Sequence, residues 1–151
     1  MESHTFKCRI GSLTMTAEKG DIISIKLNTK ALQPSSDSPS DVLEKSEKQL
    51  IEYLDGKLKI FDLPIRLIGT PFQIAVWRAL QEIPYGTTLT YGEIATRIGR
   101  PKAARAVGMA CNRNPLLIVV PCHRAVGAGG KLTGFACGLE IKRELLEIEQ
   151  I

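Results

Sequence analysis

TPFQIAVWRALQEIPYGTTLTYGEIATRIGRPKAARAVGMACNRN, residues 70–114, is the stretch that decides how this chain folds. It opens with a helix start. Thr70 supplies a capping hydroxyl, Pro71 takes the first helical position, and Gln73 can reach back to the cap. Phe72, Val76, Trp77 and Leu80 then recur at helical spacing and predict a buried stripe. IPYG (83–86) reads as a turn. Thr90 and Glu93 repeat the capping pattern and open a short helix that stops at Gly99. Pro101 is expected to open a third helix through PKAARAVGMACNRN. Two short helices joined by a tight glycine-containing turn are the signature of a helix-turn-helix.

Beyond residue 114, LLIVV (116–120) is too short for a helix and lies between Pro115 and Pro121, so it reads as a buried strand or extended segment. GAGGKLTG (127–134) is a loop. LEIKRELLEIEQI closes the chain as an amphipathic helix with Ile141, Leu145 and Ile148 on one side. Before residue 70, HTFKCRI, LTMTA and DIISIKLN read as strands separated at Gly11 and Gly20. The Pro/Ser segment 33–41 is a loop leading into a helix, DVLEKSEKQLIEYLDG. Val42, Leu43, Leu50, Ile51 and Leu54 form its stripe, and Gly56 ends it. FDLPIRLIG reads as an extended linker, because Pro64 cannot serve a central strand or a helix interior. Two domains are expected: a strand-and-helix scaffold over 1–66 and a mainly helical domain over 70–151, an α/β (α+β) chain.

The chain has 151 residues, 44% hydrophobic and 24% charged, as ordinary globular proteins do. No apolar run approaches the roughly 18 residues of a membrane helix, and the N-terminus has no signal-peptide pattern. Four cysteines are too few for a disulfide scaffold, so a reducing cytoplasm is expected. The net charge of +4 is unevenly placed. Residues 1–69 balance to zero. Between Ile94 and Leu139, Arg97, Arg100, Lys102, Arg105, Arg113, Arg124 and Lys131 occur without a single acid. That concentration on a helix-turn-helix points to a polyanion, hence DNA; a merely solvated basic face is the alternative.

Pro121-Cys122-His123-Arg124 follows the apolar run directly. A thiolate is a strong, soft nucleophile able to attack a saturated alkyl carbon. A neighbouring imidazole and guanidinium would both favour it over the thiol. Successive strand side chains face opposite ways, so His123 can serve Cys122 only if the chain turns there or through a water. An inert buried cysteine is the plain alternative. Cys111, Cys122, His123 and Cys137 match no usual zinc spacing, so no metal is expected.

The order and spacing of TPFQIAVWRALQEIPYGTTLTYGEIA, GRPKAARAVGMACNRNP and LIVVPCHR, with the terminal helix, make residues 70–149 resemble the catalytic domain of the methylated-DNA–protein-cysteine methyltransferases, or O6-alkylguanine-DNA alkyltransferases. The first half resembles that family only in its layout. The resemblance implies a ribonuclease H-like N-terminal domain and a winged helix-turn-helix-like C-terminal one. It implies suicidal direct-reversal repair, in which an alkyl group passes from O6-alkylguanine, and from O4-alkylthymine, in duplex DNA to Cys122 without a cofactor. His123 would be the base acting through a water, Glu149 its orienting acid, and Tyr91 the proton donor to guanine N3. Asn114 would be the hinge residue. Arg105 would fill the space left by the flipped base. Ala103, Ala104 and Gly108 would let the recognition helix approach the minor groove, with Tyr91, Arg100 and Arg124 also on the DNA-binding side. Phe135, Ala136, Ala125 and Leu117 would line the pocket. Phe135 stands where the family usually has tyrosine, Cys137 where it has glycine, and Leu117 where some relatives have proline. A monomer acting on DNA, with no obligate protein partner and no membrane, completes the expectation. A non-enzymatic alkyltransferase-like lesion binder and a Cys-His hydrolase are the competing readings. The first would lack an acceptor cysteine; the second would leave the basic helix pair unexplained.

Overall fold

The computed structural model describes residues 1–28, 39–135 and 137–150; Ala136 and residues 33–38 of the expected Pro/Ser loop lie outside them. The chain divides into two compact units. One comprises Met1–Leu67 with Pro115–Leu117, the other Ile68–Asn114 with Ile118–Ile151.

In the first unit, strands β1 (Glu2–Cys8), β2 (Gly11–Glu18) and β3 (Asp21–Asn28) form an antiparallel meander in the order β1-β2-β3. The first turn puts Gly11 at φ +131° and the second puts Gly20 at +84°, regions closed to most side chains. Alternation buries Leu13, Met15 and Ala17 from β2, and Phe6 pairs opposite Leu13. Helix α1 (Asp41–Leu54) packs on this sheet. Its buried residues are Leu43, Ser46, Leu50, Tyr53 and Leu54. The expected stripe is thus rotated: Ile51 is exposed and Val42 only half-buried. Tyr53 is the bulkiest group on the helix and takes the interior, its ring 5.5 Å from that of Phe61. Ser46 is tolerated there because its hydroxyl donates to the Val42 carbonyl at 2.7 Å.

Two proline-led segments join the edge of β3. Pro64 O accepts from Ile22 N–H and Pro115 O from Ile25 N–H, both at 2.8 Å. A proline can offer a sheet only its carbonyl, and here that is all it is asked for. LLIVV is therefore not one strand. Leu116 and Leu117 pair with Ile25 in the first unit, and from Ile118 the chain belongs to the second. Ile118 has φ +73°, a conformation costly for a β-branched residue, and it interrupts the extended run at that point.

The second unit contains α2 (Pro71–Gln81), β4 (Leu89–Thr90), α3 (Tyr91–Arg97), α4 (Ala104–Asn112), β5 (Ala125–Val126) and α5 (Leu139–Ile148). Both expected capping boxes form, Thr70 with Gln73 and Thr90 with Glu93. Helix α4 starts later than Pro101. Ala103 N–H bonds to Arg100 O, making Pro101 and Lys102 the middle of a turn, where proline's fixed φ suits the first central position. Val107, Ala110 and Cys111 face inward, and Trp77 Nε1 on α2 donates to Ala110 O at 2.9 Å. Helix α5 is also rotated from expectation: Lys142, Leu145 and Leu146 are buried, while Ile141 and Ile148 are half-buried.

Candidate active site

Cys122, His123 and Arg124 form one turn of 3₁₀ helix directly before β5, so the chain bends where the sequence demands it. β5 pairs in parallel with β4, which leads straight into α3. Leu89 lies opposite Ala125 and Thr90 opposite Val126. This pairing carries Tyr91, the first residue of α3, to the side of the Cys122 turn.

Cys122 is 5% exposed. Its sulfur accepts a hydrogen bond from Asn114 Nδ2 at 3.1 Å, and the same amide donates to Val120 O at 2.7 Å. Burial pushes the thiol up to about 11, although the Asn114 contact favours the anion. The protonated thiol is therefore the resting form at neutral pH.

Arg124 explains part of this. It was expected at the DNA surface, yet it is buried and its guanidinium is committed elsewhere. Nε donates to Glu149 Oε1 at 2.9 Å, Nη2 to Glu149 Oε2 at 3.0 Å, and Nη1 to Ile83 O at 2.7 Å. Such a fork fixes a carboxylate's plane. Glu149, the residue capping α5, also accepts from Gly86 N–H at 3.0 Å. Its Oε2 lies 2.7 Å from His123 Nε2, with both side chains fully buried. With Nε2 donating to the carboxylate, the lone pair of the neutral ring sits on Nδ1. Burial holds the His123 pKa below its ordinary value despite Glu149, so the ring is neutral and able to take a proton at pH 7. The IPYG turn thus does more than reverse the chain. Ile83 and Gly86 hold Arg124 and Glu149, and the Tyr85 ring lies 5.7 Å from the Arg124 guanidinium.

Tyr91 is half-buried and its hydroxyl donates to Thr133 O at 3.0 Å. Burial raises its pKa, so it keeps its proton. Phe135 is also half-buried. Between these two rings stands a residue the sequence did not single out. Lys142 is completely buried, its Nζ 5.8 Å from the Tyr91 ring and 5.9 Å from the Phe135 ring. A lysine on the inward stripe of an amphipathic helix was the available signal, and it was hidden by the wrong choice of stripe. Ala125 is fully buried in β5. Leu117 belongs to the first unit, where its N–H donates to Ile25 O; Ala136 lies outside the described residues.

Of the seven basic residues in the acid-free stretch, Arg97, Arg100, Lys102, Arg105, Arg113 and Lys131 are exposed and only Arg124 is buried. Arg105, Ala106 and Met109 lie exposed on the outer side of α4, and Met109 is 60% exposed. Ala103 and Ala104 are half-buried at its start. A Cβ at Gly108 would meet nothing within 4 Å, so internal packing does not demand glycine there. Among the described residues no group of histidine, cysteine and acid side chains could hold a metal ion, and no helix is long and apolar enough to cross a membrane.

Comparison with known proteins agrees with this geometry. Residues 71–151 match the family model of the 6-O-methylguanine DNA methyltransferase DNA-binding domain, and residues 1–67 match that of its ribonuclease-like domain. A methylated-DNA–protein-cysteine methyltransferase from Methanosarcina mazei is 49% identical over 99% of this chain and 98% of its own length. One from Methanosarcina acetivorans is 58% identical over 72% of this chain and 70% of its own. The crystal structure of Mycobacterium tuberculosis OGT in complex with DNA superposes with a TM-score of 0.92 at 42% identity, covering 99% of this chain and 93% of that one. The chain belongs to the 6-O-methylguanine DNA methyltransferase family.

Proposed function

We propose that this protein repairs DNA by direct reversal, moving a methyl or other alkyl group from O6 of guanine in a duplex onto its own Cys122. The observation that carries the proposal is a buried thiol beside a buried His123–Glu149 pair in the same unit as a set of exposed basic residues on and around α3 and α4. His123 Nδ1, oriented by Glu149, takes the Cys122 proton through a water, and Asn114 steadies the sulfur as charge develops. The sulfur attacks the alkyl carbon, the C–O bond breaks, and its electron pair stays with the guanine. Tyr91 gives its proton to guanine N3, so the base leaves neutral. The thioether is stable, and the protein is spent after one event.

The target base is stacked inside the helix and has to be extruded at a cost of a few kcal/mol. Arg105, exposed on α4, fills the vacancy in this account. Ala103, Ala104 and Gly108 let the backbone approach, and Arg100 anchors phosphate. Phe135 stacks on the flipped base. Residues 1–66 act as scaffold and residues 70–151 carry binding and chemistry. The protein acts as a monomer, and a reducing cytoplasm suits a thiol that has to remain free.

Single-turnover incubation with duplex DNA carrying O6-methylguanine tests the proposal. Cys122→Ser should abolish transfer while leaving duplex affinity intact. Stoichiometric transfer by that variant would refute the assignment of the acceptor. The lesion-binder alternative requires a chain with no acceptor thiol and is disfavoured by Cys122 itself.

A further inference from the structure

Lys142 is an ammonium with no exposure to solvent, no carboxylate within salt-bridge distance among the described residues, and two carbonyls as its hydrogen-bond partners. Nζ donates to Ala125 O at 2.6 Å and to Thr133 O at 3.1 Å. Burying an uncompensated charge is among the costliest arrangements a fold can contain. A methionine of similar length would fill the space without that cost. What surrounds the charge is informative. From α3 it faces the Tyr91 ring; from the segment after β5, the Phe135 ring. Its charge is favoured by anions on Cys122 of the 3₁₀ turn and on Cys111 of α4, and it disfavours a charge on His123. Two of these, Cys122 and Tyr91, lose a proton in the transfer proposed above.

The Thr133 carbonyl adds a second observation. It accepts from Tyr91 Oη at 3.0 Å as well as from Lys142. For Tyr91 to donate to a guanine, its hydroxyl has to leave Thr133 O. Lys142 still donates to that carbonyl once the phenol has gone, so the loop that carries Thr133 stays anchored.

We infer that Lys142 is a positioning residue for alkyl transfer, a fixed buried cation that frees the Tyr91 hydroxyl for the substrate and stabilises the negative charge arising in turn on Cys122 and Tyr91. The inference rests on the transfer reaction proposed above. The proton balance is closed. The Cys122 proton passes to His123, the sulfur forms its bond to carbon as the O6–carbon bond breaks, and the Tyr91 proton neutralises the guanine. A tyrosinate and an imidazolium remain, and they recombine by proton return. Lys142 gives up no proton at any stage. Burial pulls its pKa down, and anions at Cys122 and Cys111 pull it back up, so its charge is firmest when the neighbours ionise.

The test uses the full-length protein, with O6-methylguanine duplex as substrate and iodoacetamide as a probe of Cys122. Lys142→Met keeps length and removes charge; Lys142→Arg keeps charge. Lys142→Met should slow single-turnover transfer at least about 10-fold at unchanged duplex affinity, and should move the pH midpoint of Cys122 alkylation upward. Lys142→Arg should retain the wild-type alkylation midpoint. Combined with Tyr91→Phe, the loss from Lys142→Met should shrink, because one of the two anions it serves is gone. An unaltered alkylation midpoint with full additivity to Tyr91→Phe would overturn the inference and leave only a structural lysine. If Lys142→Met does not fold, the arginine variant decides alone: a shifted midpoint there overturns the inference. Failure of the wild-type protein to transfer at all would instead sink the proposed function.

Discussion

At the residue scale the central fact is a thiol kept protonated. Cys122 is held near 11 and Cys111 near 12 by burial, against 9.0 for an ordinary cysteine. Both folded values lie above the unfolded one, so their contribution to stability is intact below pH 9 and is lost as pH rises through 11 to 12. Urea titrations at pH 8 and pH 10.5 should show a lower unfolding free energy at the higher pH. The drop should be smaller in the Cys122-methylated protein, which has one titrating thiol fewer. An equal drop in both forms would remove Cys122 from the explanation. Cys122, His123, Glu149, Tyr91 and Asn114 were all nameable from the sequence, because family resemblance preserves order and residue type. Arg124 was misjudged because sequence counts charges and does not show their partners. Here the partner is 25 residues away, at the end of α5. Lys142 was missed because the inward side of α5 is not the one its Ile141, Leu145 and Ile148 spacing suggests.

At the element scale, short-range chemistry was legible and the packing direction was not. The capping boxes at Thr70 and Thr90 depend on residues three apart, so the sequence contains the whole interaction. Which side of α1 or α5 turns inward depends on surfaces distant in sequence, and both stripes came out rotated. The split of LLIVV between two units was illegible for a related reason, since nothing local marks Ile118 for a left-handed backbone. Helix α4 offers a prediction of its own. Gly108 occupies a helix interior where alanine would be favoured by about 1 kcal/mol and would meet nothing. Gly108→Ala should therefore raise the melting temperature while weakening duplex binding, measured by calorimetry and fluorescence anisotropy. Unchanged affinity would mean that DNA does not approach α4 as closely as proposed.

At the scale of the whole molecule, the uneven charge follows the division into two units. The first 69 residues are neutral and build a sheet with one helix, while the second unit holds the basic face and the reactive thiol. A methyl group added to Cys122 enters a site only 5% exposed, and overpacking a filled site typically costs about 1–3 kcal/mol. The alkylated protein should melt at a lower temperature than the free protein in differential scanning calorimetry; an equal or higher melting temperature would contradict the tight site described here. The most direct test is the intact and peptide mass of the protein after exposure to excess O6-methylguanine duplex. One added methyl group per molecule is expected, on the peptide containing Cys122, with guanine restored in the DNA. No mass change, a methyl group on another residue, or guanine restored in excess over protein would contradict it.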